Sequence, residues 1–186
     1  MVLEVAVEQI SEAEYITRAQ QGDRDAFGVL VENHRENVIN VVYRMCGEPH
    51  LAEDASQTAF IRAWQNLPGY KPQASFHSWL YRIAINAALD MLRREKPTLN
   101  IDKMDLSNHQ HIESQVEKRQ QALQIQQAVR ALPEASRAVL VLREYQGMSY
   151  QEIAETLEIP IGTVMSRLNY ARKNLMEQLQ EMMEEL

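Results

Sequence analysis

The sequence predicts an all-α protein: two small helical domains joined by a flexible linker, the C-terminal one containing a helix-turn-helix. Three observations predict it. Apolar residues recur at three- and four-residue spacing through most of the chain, and strict alternation never runs beyond a few positions. Glycine and proline, 6 of each in 186 residues, are too few to interrupt long helices often. Residues 95–115, EKPTLNIDKMDLSNHQHIESQ, have no clear period and several breakers. A stretch that long is unusual inside one compact domain, so it reads as a linker between a domain at 10–94 and another at 116–186.

Residues 11–21 suit a short helix capped by Ser11, with Glu14 three positions on, and Gly22-Asp23 ends it. From Asp25 to Met45, Ala26, Phe27, Leu30, Val31, Val38, Val41, Val42 and Met45 form one apolar stripe. His34 falls beside it, as a core or boundary histidine does. Cys46-Gly47-Glu48-Pro49 closes this helix. The next, Leu51 to Leu67, has a small-residue face of Leu51, Ala55, Ala59 and Ala63 for close packing. Its other face carries Asp54, Gln57, Phe60, Ile61 and Trp64, an acid and an amide beside large apolar groups. That mixture fits a protein-protein hot spot, and Phe60 and Trp64 fit a core stripe equally well. Residues 68–75 form a loop, and Ser75 can cap the helix Phe76–Arg94. Leu80, Ile83, Ala84, Ala87, Ala88, Met91 and Leu92 are its inward face, leaving Phe76, His77, Trp79, Tyr81, Arg82, Asn86, Arg93 and Arg94 elsewhere. Aromatics interleaved with cations suit single-stranded nucleic acid, though aromatics at helical spacing are more often core.

Helical periodicity returns after the linker. One helix places Ala122, Leu123, Val129 and Leu132 near one side and stops at Pro133. A second turns Ala138, Val139, Leu142 and Tyr145 inward and ends at Gly147. Ser149 with Glu152 makes a capping box for a short helix whose buried face is Ile153, Ala154 and Leu157. Ala154 is small enough for a second helix to cross closely. Glu158-Ile159-Pro160 is the turn, and Pro160 can open the next helix, where its missing N–H costs nothing. Ile161, Val164 and Leu168 are that helix's apolar stripe. Thr163, Met165, Ser166, Arg167, Asn169, Tyr170, Arg172 and Lys173 remain as a polar, partly basic face, with Arg167 set opposite Val164 and Leu168. Hydroxyls, an amide and cations there suit phosphates and base edges in a major groove. Glu158 sits where such turns need positive φ, at a cost of about 1 kcal/mol for a non-glycine. In the tail, Met176, Leu179 and Met183 form a short apolar seam.

Composition excludes several classes. A single cysteine, Cys46, can form no internal disulfide, which fits a reducing cytoplasm, and its apolar surroundings argue for packing over reactivity. No basic leader precedes an apolar run, and no stretch approaches the ~20 apolar residues of a membrane span, so no membrane insertion is expected. Five histidines and one cysteine show no ligand spacing, so neither metal nor cofactor is expected. No paired catalytic carboxylates, nucleophile-base set or phosphate loop marks an enzyme. The net charge of −7 is awkward for a chain that holds DNA alone, and points to a large partner that supplies affinity.

Five phrases, in order around the linker, carry a likeness: GDRDAFGVLVE, AEDASQTAFIRAW, SFHSWLYRIAINAALDMLRR, LPEASRAVLVLREYQGMSYQEIAETL and PIGTVMSRLNYARKNL. Together they resemble a bacterial RNA polymerase sigma factor of the sigma-70 family, in the two-domain extracytoplasmic-function group (group IV). The resemblance implies that Asp54–Leu67, with Asp54, Gln57, Phe60, Ile61 and Trp64, grips the clamp helices of the largest subunit of core RNA polymerase. It implies that the loop Tyr70–Ser75 and the following helix read and melt the −10 element, through Tyr70, Lys71, Ser75, Phe76, Trp79, Arg82, Asn86, Arg93 and Arg94. It implies that the helix-turn-helix reads the −35 element of promoter DNA, and that a cognate anti-sigma factor holds the protein inactive, as in stress or envelope responses. Departures from the family pattern fall at Met165 and Tyr170, where arginine is common, and at Glu158, where glycine is common. They bear on which promoter is read. Two other classes stay open on sequence: a sigma-like adaptor without DNA binding that sequesters an anti-sigma factor, and a helix-turn-helix repressor.

Overall fold

The structure, a computed structural model, describes residues 10–72, 74–95 and 113–184. Within them the chain forms α1 (Glu12–Gln20), α2 (Arg24–Cys46), α3 (Pro49–Asn66), a short 3-10 turn (Leu67–Gly69), α4 (Phe76–Glu95), α5 (Glu113–Ala131), α6 (Glu134–Glu144), α7 (Tyr150–Leu157) and α8 (Ile161–Glu184). No strand occurs among the described residues. Most of the expected linker lies outside them, while Glu113 to Gln115 already belong to α5.

Local chemistry sets the helix ends. The Ser11 hydroxyl accepts from the Glu14 N–H at 3.3 Å, and Asp23 Oδ1 accepts from the N–H groups of Asp25 and Ala26 at 3.0 Å. α2 ends on Gly47 at φ 77°, whose N–H returns to the Tyr43 carbonyl. Pro49 opens α3 two residues earlier than the sequence pattern indicated, as its fixed φ suits the first helical position. Ser149 and Glu152 form both halves of the expected capping box.

In the first half α2, α3 and α4 pack on one another. Close approach comes from alanines: Ala52, Ala55, Ala59 and Ala63 of α3, and Ala84, Ala87 and Ala88 of α4, are all buried. Leu30, Val38, Val41, Val42 and Met45 of α2 fill the space above them, each worth about 1.5–3 kcal/mol for full burial. His34 is the expected boundary histidine: its Nε2 lies 2.7 Å from Glu12 and its ring packs 5.3 Å from Phe76.

The second half is built on α6, which differs from its sequence pattern. The periodicity of Ala138, Val139 and Leu142 indicates one inward face, yet Ser136 through Leu142 are all buried. The reason is that α6 has neighbours on two sides, α8 within its own half and α2 from the other. The buried cluster accordingly runs without a break from α1 to α8, and the two halves share it.

Several inward assignments are corrected. Ala122 and Leu123 of α5 are exposed, because α2 meets α5 nearer its C-terminal end, where Ala128, Val129 and Leu132 are buried. Tyr145 is 37% exposed and lies under the Arg44 guanidinium, 3.5 Å from its ring centre. Ile161 is exposed, and Ala171 takes its place in the stripe with Val164 and Leu168. In α4, Ile85 and Tyr81 join the core, while Ile83, Met91 and Leu92 are half-buried. Met176 is 59% exposed, so it contributes little to the expected tail seam.

Candidate nucleic-acid and partner interfaces

The first surface lies on α3. At 100° per residue, Asp54, Gln57, Phe60, Ile61 and Trp64 fall within an arc of about 120°, opposite the buried alanines. Asp54, Gln57 and Ile61 are exposed, and Ile61 at 59% is an unusual position for a large apolar side chain. Phe60 and Trp64 are neither core nor free: half-buried, they rest on the core cluster, and Trp64 stacks against Phe27 with centroids 5.0 Å apart. With Arg24 and Gln65 they line an apolar depression of about 390 Å³. It is shaped to receive a partner's apolar side chain.

The second surface is the loop at 70–75 and the outer side of α4. Tyr70 and Phe76 do not present stacking faces here. Both are buried, at 8% and 3% exposure, and their rings pack edge to face at 5.7 Å. The Tyr70 hydroxyl donates to the Ala74 carbonyl at 2.9 Å, and burial pushes its pKa up. The two rings therefore hold the loop in shape. Trp79 is half-buried, its ring tilted against Tyr70 at 5.0 Å and Phe76 at 5.5 Å, and it lines a cleft whose far wall is Glu158, Ile159 and Ile161. Lys71, Ser75, Asn86, Arg93 and Arg94 are exposed. The Ser75 hydroxyl bonds with that of Ser78 at 2.8 Å, bracing the first turn of α4. Arg93 lies 3.6 Å from Asp90, which itself accepts from Arg62 at 2.8 Å.

The third surface is the first half of α8. Val164, Leu168 and Ala171 are fully buried against the rest of the second half. Ser166, Asn169 and Lys173 then point furthest outward, flanked by Met165 at 45% and Tyr170 at 48% exposure. Thr163 is half-buried and accepts, through its carbonyl, from the Ser166 hydroxyl at 3.1 Å. Arg167 is not opposite Val164 and Leu168. It lies about one helical turn from Val164 and from Ala171, and it is half-buried at the edge of the stripe. Arg172 is held by Glu144 at 2.6 Å, which raises its pKa, and Lys173 sits 3.8 Å from Glu177. The turn before α8 places Glu158 at φ 53°, the one non-glycine at positive φ among the described residues.

The sequence reading missed Arg137. Its guanidinium is buried at 6% exposure, and burial lowers its pKa. It donates to the carbonyls of Met45, Arg130 and Leu132, capping the C-terminal ends of α2 and α5 at once. A lone arginine ahead of AVLVL was the available signal. The thiol of Cys46, one residue along from Met45, is pushed up to about 11 by burial, which leaves it inert.

These surfaces match a known pattern. The sigma-70 region 2 family profile matches residues 30–98, and the sigma-70 region 4 profile matches residues 122–175. The chain is 35% identical to the ECF RNA polymerase sigma factor SigW of Bacillus subtilis over 179 residues, covering 90% of this chain and 96% of that protein. This chain belongs to the extracytoplasmic-function sigma factors. It is also 32% identical to the ECF RNA polymerase sigma-E factor of Escherichia coli over 188 residues, covering 93% of this chain and 96% of that one. The fold agrees with that of CnrH, solved in complex with the cytosolic domain of CnrY, at a TM-score of 0.70 over 93% of this chain and 99% of that chain, with 24% identity. It agrees too with the sigma factor RpoE of Bartonella quintana, solved with the anti-sigma factor NepR, at 0.66 over 83% and 96% with 19% identity. In this sigma factor the α3 and α4 surfaces lie within region 2, and the helix-turn-helix lies within region 4. Neither the adaptor nor the repressor reading is favoured by these likenesses.

Proposed function

We propose that this sigma factor divides promoter recognition among its three surfaces. The α3 depression, with Asp54 and Gln57 beside Phe60, Ile61 and Trp64, docks core RNA polymerase at the clamp helices of its largest subunit. Lys71, Trp79, Arg82, Asn86, Arg93 and Arg94 hold the unpaired strand of the −10 element, by stacking on Trp79 and by charge on phosphates. Ser166, Asn169, Met165 and Tyr170 read the −35 duplex, and Arg167 and Lys173 meet its backbone. The working units are residues 10–94 and 116–186, with 95–115 between them.

The observation that carries this reading is the exposed Ile61 beside half-buried Phe60 and Trp64, on the face of α3 opposite its buried alanines. A monomer gains nothing from that arrangement, and a partner does. Two modest affinities for DNA combine through effective concentration once polymerase holds both readers, which accommodates the net charge of −7. Melting draws on binding energy for a flipped base, so the chain acts as a regulator and carries no catalytic group of its own. No described helix is long and apolar enough to cross a membrane. The reading places the protein in the cytoplasm, under a cognate anti-sigma factor.

Run-off transcription with core polymerase tests it. The chain is expected to direct initiation at discrete start sites, and Asp54→Ala with Gln57→Ala to abolish this while helical circular dichroism is unchanged. Full activity of that variant would remove α3 as the docking surface.

A further inference from the structure

The region 2 match begins at residue 30, so α1 lies outside both family profiles. It is nevertheless fastened at both ends to the elements proposed to read the −10 strand. At its first turn Glu12 pairs with His34, whose ring packs on Phe76. At its last residue the half-buried Gln20 amide donates to the Tyr70 carbonyl at 2.8 Å and to the Leu67 carbonyl at 3.1 Å. Between the two, Ala19 is buried, and Tyr15 and Ile16 pack on the core. Arg18 meets Asp23, the N-cap of α2, at 2.7 Å, which locks the turn that follows Gln20.

The Gln20 contacts fall on a residue already held on its other sides. The Tyr70 N–H donates to the Leu67 carbonyl at 3.0 Å, its hydroxyl donates to the Ala74 carbonyl at 2.9 Å, and its ring lies against Phe76 and Trp79. Those contacts leave free the plane of the next peptide, which can rotate about its flanking bonds while the ring stays seated. Gln20 removes that freedom. A trans peptide keeps its carbonyl and its N–H on opposite sides. With the Tyr70 carbonyl turned to α1, the Lys71 N–H faces away from α1, and it has no partner among the described residues. Lys71 is exposed, so this N–H stands beside its own ammonium as a donor for a base edge or a phosphate oxygen.

We propose that Gln20 is a positioning residue of −10 recognition. Its amide fixes the Tyr70–Lys71 peptide, so the Lys71 N–H and side chain meet the unpaired strand in one arrangement. The preference among strand sequences then depends on a helix that bears none of the proposed DNA contacts. This rests on the reading of the loop and α4 as the −10 surface. The amide suits the task because its nitrogen carries two hydrogens, one for each carbonyl, and brings no charge into the half-buried site.

The test uses holoenzyme assembled from the full chain and core polymerase. Two fluorescent single strands are compared, one copied from the −10 region upstream of a start site mapped by run-off transcription, the other with the same bases permuted. The readout is the ratio of the two affinities, which a smaller folded fraction leaves unchanged. Gln20→Met keeps the length of the side chain and its helix propensity and offers no donor. It is expected to lower the ratio about fivefold, the worth of one neutral hydrogen bond. Ser11→Ala, which weakens the same helix at its cap, is expected to lower the melting temperature and keep the wild-type ratio. A wild-type ratio in Gln20→Met would overturn the proposal, and so would an equal fall in Ser11→Ala, which would make α1 a structural support only. Asn86→Ala, which touches no α1 contact, reads the −10 assignment itself and is expected to weaken binding of the promoter strand. If it does so while Gln20→Met leaves the ratio alone, the role of Gln20 alone falls. If Asn86→Ala binds that strand as tightly as the wild type, the −10 reading fails and the proposal with it.

Discussion

The α3 surface and the α4 surface lie on adjacent helices of one bundle, yet the chain treats them differently. The depression around Phe60, Ile61 and Trp64 is lined entirely by residues of α2 and α3, and nothing from α5–α8 covers it. The cleft around Trp79 and Arg82 is half-walled by α7, α8 and their turn. One surface stands open; the other is walled in at Trp79 and Arg82 while Asn86, Arg93 and Arg94 stay exposed. On the proposed assignment, the contrast teaches that the polymerase-docking surface needs no rearrangement of the two halves, whereas part of the −10 surface is shared with the second half.

The sharpest way to break this comparison is through the fastening between the halves. Arg137→Met removes donors from three carbonyls and is expected to lower the unfolding free energy by about 2–4 kcal/mol, read by urea denaturation. If the halves truly share a core, the transition stays single and its midpoint falls. Two separated transitions in the wild type would show that the closed packing adds little.

Next in size is the presented surface. Ile61→Asp puts a charge into the depression and is expected to cost at least about 2 kcal/mol in polymerase affinity, measured by competition for core enzyme. Binding of the isolated −10 strand should not change. A loss in strand binding as well would mean that the two surfaces are not independent.

On the exposed face of α8, Asn169→Ala is expected to cost about 1–2 kcal/mol and to relax preference at one −35 position. Arg167→Ala, from the edge of the helix, should weaken all sequences alike and flatten the salt dependence by about one phosphate. Holoenzyme affinities on −35 variants at several salt concentrations separate them. The reverse outcome would return Arg167 to the base-reading face.

The smallest effects concern the turn and cap that aim the helix-turn-helix. Glu158→Gly relieves about 1 kcal/mol of backbone strain and gives up an exposed ion pair worth about 0–1 kcal/mol, so stability should barely move. Ser149→Ala should cost about 1 kcal/mol in thermal unfolding. The Glu152 carboxyl is held below its usual pKa first by the Ser149 backbone N–H. Its folded value is depressed, so its stabilisation is present above the unfolded carboxyl value and fades as pH falls through the folded one. Acid titration of Glu152→Gln should therefore lack a component that the wild type loses at low pH.

Much of this was legible in the sequence because it is local. Caps at Ser11 and Ser149, terminators at Gly47 and Gly147, the positive φ of Glu158 and the small-residue face of α3 depend on neighbours within a few positions. The family phrases added the assignment of surfaces, which no period or cap carries. Contacts distant in the chain were not legible. Periodicity marks one inward face on α6, and only the arrival of α2 on its second side buries Ser136 through Leu142. An aromatic at helical spacing does not reveal whether it faces core or strand, so Tyr70 and Phe76 read like Trp79 until packing separated them. Arg137 looked like any surface cation until two helix ends converged on it. The pairing of Arg82 with Glu158 joins residues 76 positions apart. Pairing at that separation is set by how whole helices pack, and no local pattern encodes it.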